Sequence, residues 1–168
     1  RAGPATATVW LESPEASGVP LIDKNQIQAL IPHAGAMCLL ETVTAWDEQS
    51  IACVTETHRD PANPLRRQGR LPAVMAFEYG GQAAAIHGGL RARAAGQTAP
   101  PGYLAALRDT RWFDSDLDGI AEPLEVAAQL LLGDQAHCLY AIQVSAAGRL
   151  LAEARIAIVP QAAAGTAS

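Results

Sequence analysis

The run LPAVMAFEYGGQAAAIHGG, residues 71–89, holds one carboxylate, Glu78, among alanines, glycines and bulky apolar side chains. A carboxylate kept from water has to find hydrogen bonds or give up its charge, so its presence there asks for a role. Gln82 lies one turn further along the same helical face and is expected to hold it in place. Titratable groups in such settings concentrate where protons are exchanged with a substrate. Two histidines stand near irregular segments: His33, directly after Pro32, and His58, which opens the loop HRDPANPLRRQGR at residues 58–70. His87 lies nine residues after Glu78, about 180° round a helix, and is read as structural. His137 follows a turn, where exposure is the expectation. The loop also gathers Arg59, Arg66, Arg67 and Arg70 against Asp60 alone, a cationic cluster suited to an anion. Cys38, Cys53 and Cys138 show neither CxxC nor histidine spacing fit for zinc, and read as reduced core residues of a cytoplasmic protein.

The 168 residues are 49% apolar, enough for one domain with its own core. A formal net charge of −5 argues against general nucleic-acid binding, which needs a basic surface. No apolar run reaches the roughly 18–20 residues that cross a bilayer, and the first residues lack the regions of a signal peptide, so a soluble, cytoplasmic protein is expected. Residues 1–20, rich in Ala, Pro, Ser and Thr, are expected to be loosely ordered, with 9–11 available for a short strand, and 161–168 to form a disordered tail. Asp23 is placed to cap a short helix carrying Ile27 and Leu30, which Pro32 ends. MCLLETVTAW and SIACVTET, joined by WDEQS, predict a β-hairpin. A helix follows from Leu71 to about Ala95, with Pro72 in its first turn and Gly96 as its stop. YLAALRDTRWF, PLEVAAQLLL, AHCLYAIQVSA and RLLAEARIAIV read as four more strands. This order predicts an α+β fold over residues 21–160, a curved antiparallel sheet wrapped around one long central helix. A helix apolar nearly all round is one enclosed by protein.

At these residues a resemblance appears. LPAVMAFEYGGQAAA resembles the central-helix signature of the hotdog-fold β-hydroxyacyl-acyl carrier protein dehydratases, in which Met/Leu-Pro-Gly is followed by apolar residues, an acid and Ala-Gln-Ala-Ala. Leu71, Pro72, Glu78 and Gln82 fall on matching positions. LIPHAGAMCLLETV is similar to the family's Leu-Pro-His-Arg-x-Pro-Phe-Leu-Leu-Val-Asp-Arg-Val, with Pro32 and His33 matched and Glu41 where the family has Asp. DTRWFDSDLDGIAEPLEV resembles its strand, Pro-Gly-Asp turn and next strand. The match runs from about Leu21 to Val159. A divergent branch of predicted dehydratases associated with aryl polyene lipid synthesis resembles the chain better still, pairing a Pro-His segment with a Leu-Pro, acid-bearing helix and lacking the usual loop motif.

The resemblance implies dehydration of a 3-hydroxyacyl chain on acyl carrier protein to the trans-2-enoyl form, with Glu78 as general acid. The family's base is a histidine in a Gly-His-Phe-x-Gly loop before the helix. This chain reads NPLRRQGRLPA there, with Gly69 but no histidine, so His33 and His58 are the alternatives. Pro72 and Ala73 would bring helix-end N–H groups to the thioester carbonyl, Gln82 would serve the substrate side, and Val74, Met75 and Phe77 would flank an acyl tunnel. Arg66, Arg67 and Arg70 would receive the carrier or the phosphate of its pantetheine arm. Elimination of water needs no metal and no redox cofactor, the substrate riding on the carrier's phosphopantetheine. The expected partners are acyl carrier protein and a second hotdog subunit, in a homodimer, a higher homo-oligomer or a heterodimer with another dehydratase. Two functions compete: an inactive hotdog subunit supporting another dehydratase, for which the missing loop histidine argues, and an acyl thioesterase using the helix carboxylate.

Overall fold

Asp23 caps the first helix, α1 (Lys24–Gln28), as its position predicts. Its carboxylate accepts the Gln26 N–H at 2.9 Å while the Gln26 side chain accepts the Asp23 N–H at 3.0 Å, a reciprocal capping box. The computed structural model describes residues 21–133 and 137–160; the expected loose segment 1–20, its strand at 9–11 and the tail 161–168 lie outside the described residues.

The hairpin forms from β1 (Thr42–Trp46) and β2 (Ser50–Thr55). Asp47 holds its turn by accepting the N–H groups of Gln49 and Ser50, both at 2.8 Å. After the loop, a short 3₁₀ turn over Ala73–Met75 leads into the central helix α2 (Ala76–Ala94). The predicted start at Leu71 is therefore too early. Pro72 is extended (φ −58°, ψ 141°) and the Ala73 N–H is already given to Ser115 O at 3.0 Å, so helical bonding cannot begin there. The end falls where predicted. Gly96 takes φ +69°, and the N–H groups of Gly96 and Gln97 return to Arg93 O and Ala92 O, closing a Schellman motif.

Four further strands follow: β3 (Gly102–Trp112), β4 (Leu124–Gly133), β5 (Cys138–Ala146) and β6 (Arg149–Pro160). They join the hairpin in one six-stranded antiparallel sheet of order β1-β2-β4-β5-β6-β3. This is the hotdog arrangement. Alternating side chains of β2 and β4 are buried, and Leu39, Ile51, Leu71, Ile86, Leu124, Ile142 and Leu151 are fully buried in the core that α2 shares with the sheet. Gly80 lets α2 approach the sheet, since a Cβ there would fall 2.3 Å from Ile142 Cδ1. β3 differs from every other strand. It is one of the two sheet edges, β1 being the other, and along it Tyr103, Leu104, Leu107 and Trp112 are exposed.

Candidate active site

Glu78 occupies the first turn of α2, and His33 the segment just beyond α1. The fold brings them together: His33 Nε2 lies 3.7 Å from Glu78 Oε1. Both line a cavity of about 1100 Å³ that runs along one face of α2. The face is made of small residues, Gly81, Ala85, Gly88 and Ala92, at the helical repeat of three and four. From Gly81 to Ala95, also on the cavity wall, the helix advances about 21 Å. No atom stands within 4 Å of where a Cβ on Gly81 or Gly88 would be, so the glycines themselves widen the space.

Glu78 is not enclosed as its surroundings in sequence predict. With 42% of its side chain exposed, and 30% of that of His33, the pair sits on the open side of the helix rather than against the sheet. Gln82 does not hold Glu78 either. It is buried, accepting the Leu39 N–H at 2.9 Å and donating to Met37 O at 2.7 Å, and so pins the chain that follows His33 against α2. The brace continues through buried Tyr79, whose hydroxyl accepts from Asn63 Nδ2 at 2.9 Å and meets Thr57 Oγ1 at 3.1 Å; Thr57 in turn bonds Leu39 O at 2.7 Å. Glu41, the acidic residue of the Pro-His segment, accepts the Glu56 N–H at 2.6 Å. These residues hold the loops on both sides of the helix start.

His58 belongs to that scaffold and not to the cavity. It is fully buried, with Nε2 3.0 Å from Ile120 O. A carbonyl only accepts, so Nε2 carries the hydrogen, and burial pushes the imidazole's pKa down against the pull of that carbonyl. The expected oxyanion and tunnel residues also move. The Ala73 N–H is taken by Ser115 O, Pro72 bridges to Asp116, and Val74 is 43% exposed. Met75 packs against the core, leaving Phe77 as the one member of that group on the cavity wall, edge-on to Trp112 with ring centroids 6.0 Å apart.

The arginine loop is far less cationic than its sequence implies. Arg59 pairs with Glu56 and Arg70 with Asp116, while Arg66 lies 3.8 Å from Asp118. Arg66 also donates to Asp60 O, Gly69 O and His58 O at 2.8–3.0 Å, which makes it the internal tie of the loop. Arg67 has no carboxylate partner among the described residues. Asp118 completes the tie: the Leu71 N–H at 2.9 Å holds its carboxyl below the usual range against burial, with Arg66 and Arg70 adding to the effect.

The family profile described as ApeP-like, ApeP dehydratase, matches residues 25–167. The chain belongs to the ApeP-like dehydratase family. Among solved structures it is similar to a chain of the dehydratase heterocomplex ApeI:P from Xenorhabdus doucetiae, at 23% identity and TM-score 0.73, over 85% of this chain and 91% of that one. It is also similar to zebra fish thioesterase superfamily member 2, at 15% identity and TM-score 0.59, over 82% and 94%. A hypothetical thioesterase from Streptococcus pneumoniae TIGR4, solved with coenzyme A, matches at 11% identity and TM-score 0.52, over 71% and 84%. These likenesses confirm the hotdog fold. No curated protein matches. Among the described residues no helix is long and apolar enough to cross a membrane.

Proposed function

We propose that this ApeP-like chain supplies the acid–base pair for dehydrating a 3-hydroxyacyl thioester carried on acyl carrier protein, giving the trans-2-enoyl thioester. The observation that carries this reading is the His33–Glu78 contact of 3.7 Å on the wall of a long cavity. Dehydration removes a proton from C2 and delivers one to the oxygen on C3. Neutral His33 takes the C2 proton, the freed electron pair forms the C2–C3 double bond, and the C3–O bond breaks as Glu78 gives its proton to the departing hydroxyl. Water leaves, and imidazolium stands beside carboxylate. Transfer of the proton from His33 back to Glu78 restores the starting state. The gap exceeds a direct hydrogen bond, so a substrate hydroxyl or a water bridges the two groups in this mechanism.

For the carrier, Arg67 is the best-placed cation of the loop, with Arg66 and Arg70 shaping it. The shared-site reading draws on β3, an edge with exposed apolar residues, which suits pairing with a second hotdog subunit. That subunit is a second copy or a different dehydratase, as in the ApeI:P heterocomplex. The missing loop histidine and that heterocomplex together support a second reading, a chain that completes another dehydratase's site. The three free thiols suit a reducing cytoplasm.

The test is incubation of the purified chain with 3-hydroxyacyl and trans-2-enoyl carrier thioesters. Interconversion supports the dehydratase, release of free acid the thioesterase, and turnover only after a second hotdog subunit is added the partner reading. Glu78→Gln should cut interconversion by about 10²–10⁴. Its Tm should hold, because the Glu78 side chain makes no hydrogen bond among the described residues. Full rate in that variant would remove Glu78 from the chemistry.

A further inference from the structure

The cavity has two chemically different ends. His33 and Glu78 stand at one, and the wall beyond them is the small-residue face of α2. Toward the other end, beside the connection 97–101 that joins α2 to β3, the lining is interrupted by the charged Arg91. Arg91 follows Glu78 by thirteen residues, about 20 Å along the helix axis. A guanidinium at that depth is poorly matched to a chain ending in a methyl group, whose approach would strip it of water and return no hydrogen bond.

The hydrogen bonds around it define what it can offer. Asp47 O only accepts, so His87 Nε2 carries the hydrogen in their 2.8 Å contact and Nδ1 is left as the acceptor. Tyr140 Oη therefore donates its one proton to His87 Nδ1, 2.9 Å away. Both side chains are fully buried, so this arrangement is fixed by packing. Tyr140 presents only oxygen lone pairs, and Arg91 is the charged donor beside that oxygen. Arg91 forms no ion pair with any carboxylate among the described residues.

We propose that Arg91 forms a distal subsite for acyl chains whose far end carries an oxygen acceptor, a carboxylate most strongly and a hydroxyl next. A carboxylate takes charge-assisted, forked hydrogen bonds from the guanidinium, about twice as strong as neutral ones. A hydroxyl accepts from Arg91 as a neutral group and is held less strongly. A terminal methyl accepts nothing. The inference rests on the proposed function for the identity of the ligand as an acyl thioester, and goes beyond it in naming the chain's other end.

Saturated N-acetylcysteamine thioesters of equal length, ending in methyl, hydroxyl or carboxylate, separate the subsite from the chemistry because they have no 3-hydroxyl to lose. Calorimetry on the full chain should give Kd values falling in that order, with the carboxylate roughly tenfold tighter than the methyl. Arg91→Met should erase the ranking at unchanged circular dichroism, while Arg91→Lys keeps the carboxylate preference and weakens the hydroxyl one. Equal affinities in the wild type, or a ranking that survives in Arg91→Met, would overturn the proposal. Should Arg91→Met unfold, the wild-type ranking and the Arg91→Lys ratio decide alone. The matching 3-hydroxy thioesters keep the two readings apart. An Arg91-dependent ranking without turnover retains the subsite and discards the dehydratase, and turnover of all three without a ranking does the reverse.

Discussion

Gly80 and Gly88 lie about two turns apart on α2 and make opposite predictions. A Cβ at Gly80 would fall 2.3 Å from Ile142 Cδ1 and 3.0 Å from Ile142 Cβ, whereas at Gly88 it meets no atom within 4 Å. Replacing an interior helical glycine by alanine gains roughly 1 kcal/mol from backbone entropy alone. Gly88→Ala should realise that gain, raising Tm by about 2–4 °C in a chain of this size. At Gly80 the same gain meets over-packing of roughly 1–3 kcal/mol, because Ile142 is fully buried and paired on both sides within β5. Gly80→Ala should therefore lower Tm or leave it unchanged. Gly88→Leu then carries the test from stability to function. Gly88 is ten residues past Glu78, about 15 Å along the axis, so a leucine there stands in the path of a long chain and clear of a short one. Thermal unfolding followed by circular dichroism reads the first part. The ratio of kcat/KM for 3-hydroxybutyryl and long-chain 3-hydroxyacyl thioesters reads the second, and should shift toward the short substrate. A Gly88→Ala variant that loses Tm, or a Gly88→Leu variant that treats both chains alike, would refute the assignment of this helix face to an acyl groove.

Three other outcomes are expected. Gln82→Leu strands the Leu39 N–H and Met37 O and should destabilise the fold by roughly 2–4 kcal/mol, with kcat falling though Glu78 is untouched; urea unfolding and single-substrate kinetics check both effects. Burial depresses the pKa of His58 and of His87, so below about pH 6.5 the unfolded chain takes up protons that the folded one refuses. Stability should be full above that pH and decline as pH falls toward the folded values, by at most about 2.7 kcal/mol per pH unit for the two together, and His87→Gln should reduce the slope by up to half in urea titrations between pH 5 and 7.5. Leu107→Arg on exposed β3 should turn an associated species into a folded monomer by light scattering; an unchanged mass would move the interface elsewhere.

The fold was legible wherever a local rule decides. Asp23 caps α1, Gly96 closes α2, and the apolar alternation of the strands names the elements in order. Local rules failed at Leu71, where Pro72 suits a first helical turn until Ser115, more than 40 residues away, takes the Ala73 N–H. They also could not place β3. YLAALRDTRWF is as apolar as an interior strand, and only the sheet order, set by long-range register, leaves it at the edge with its apolar side chains exposed.

The site divides along the same line. Glu78 and His33 were readable as candidates from their motifs, but their contact spans 45 residues and depends on Gln82 gripping a segment 43 residues before it. Helical spacing sees only neighbours on its own helix, so it assigned Gln82 to Glu78. The arginines show the same blindness for charge: within residues 58–70 only Asp60 opposes them, yet Asp116 and Asp118 arrive from the segment before β4 and neutralise two of them. Charge in an irregular loop is therefore a tertiary property, whereas charge on one helix face is largely a local one. The start of α2 is held by polar ties on both flanks, Gln82 and Tyr79 on one and Asp118 on the other, together with the buried Leu71, Ala73, Ala76 and Phe77. Hydrogen bonds fix direction where apolar contacts fix only proximity, and a proton shuttled between an imidazole and a carboxyl depends on direction. Substitutions at these ties should thus lower kcat before they lower Tm in proportion, a split that apolar core substitutions such as Ile142→Val should not reproduce.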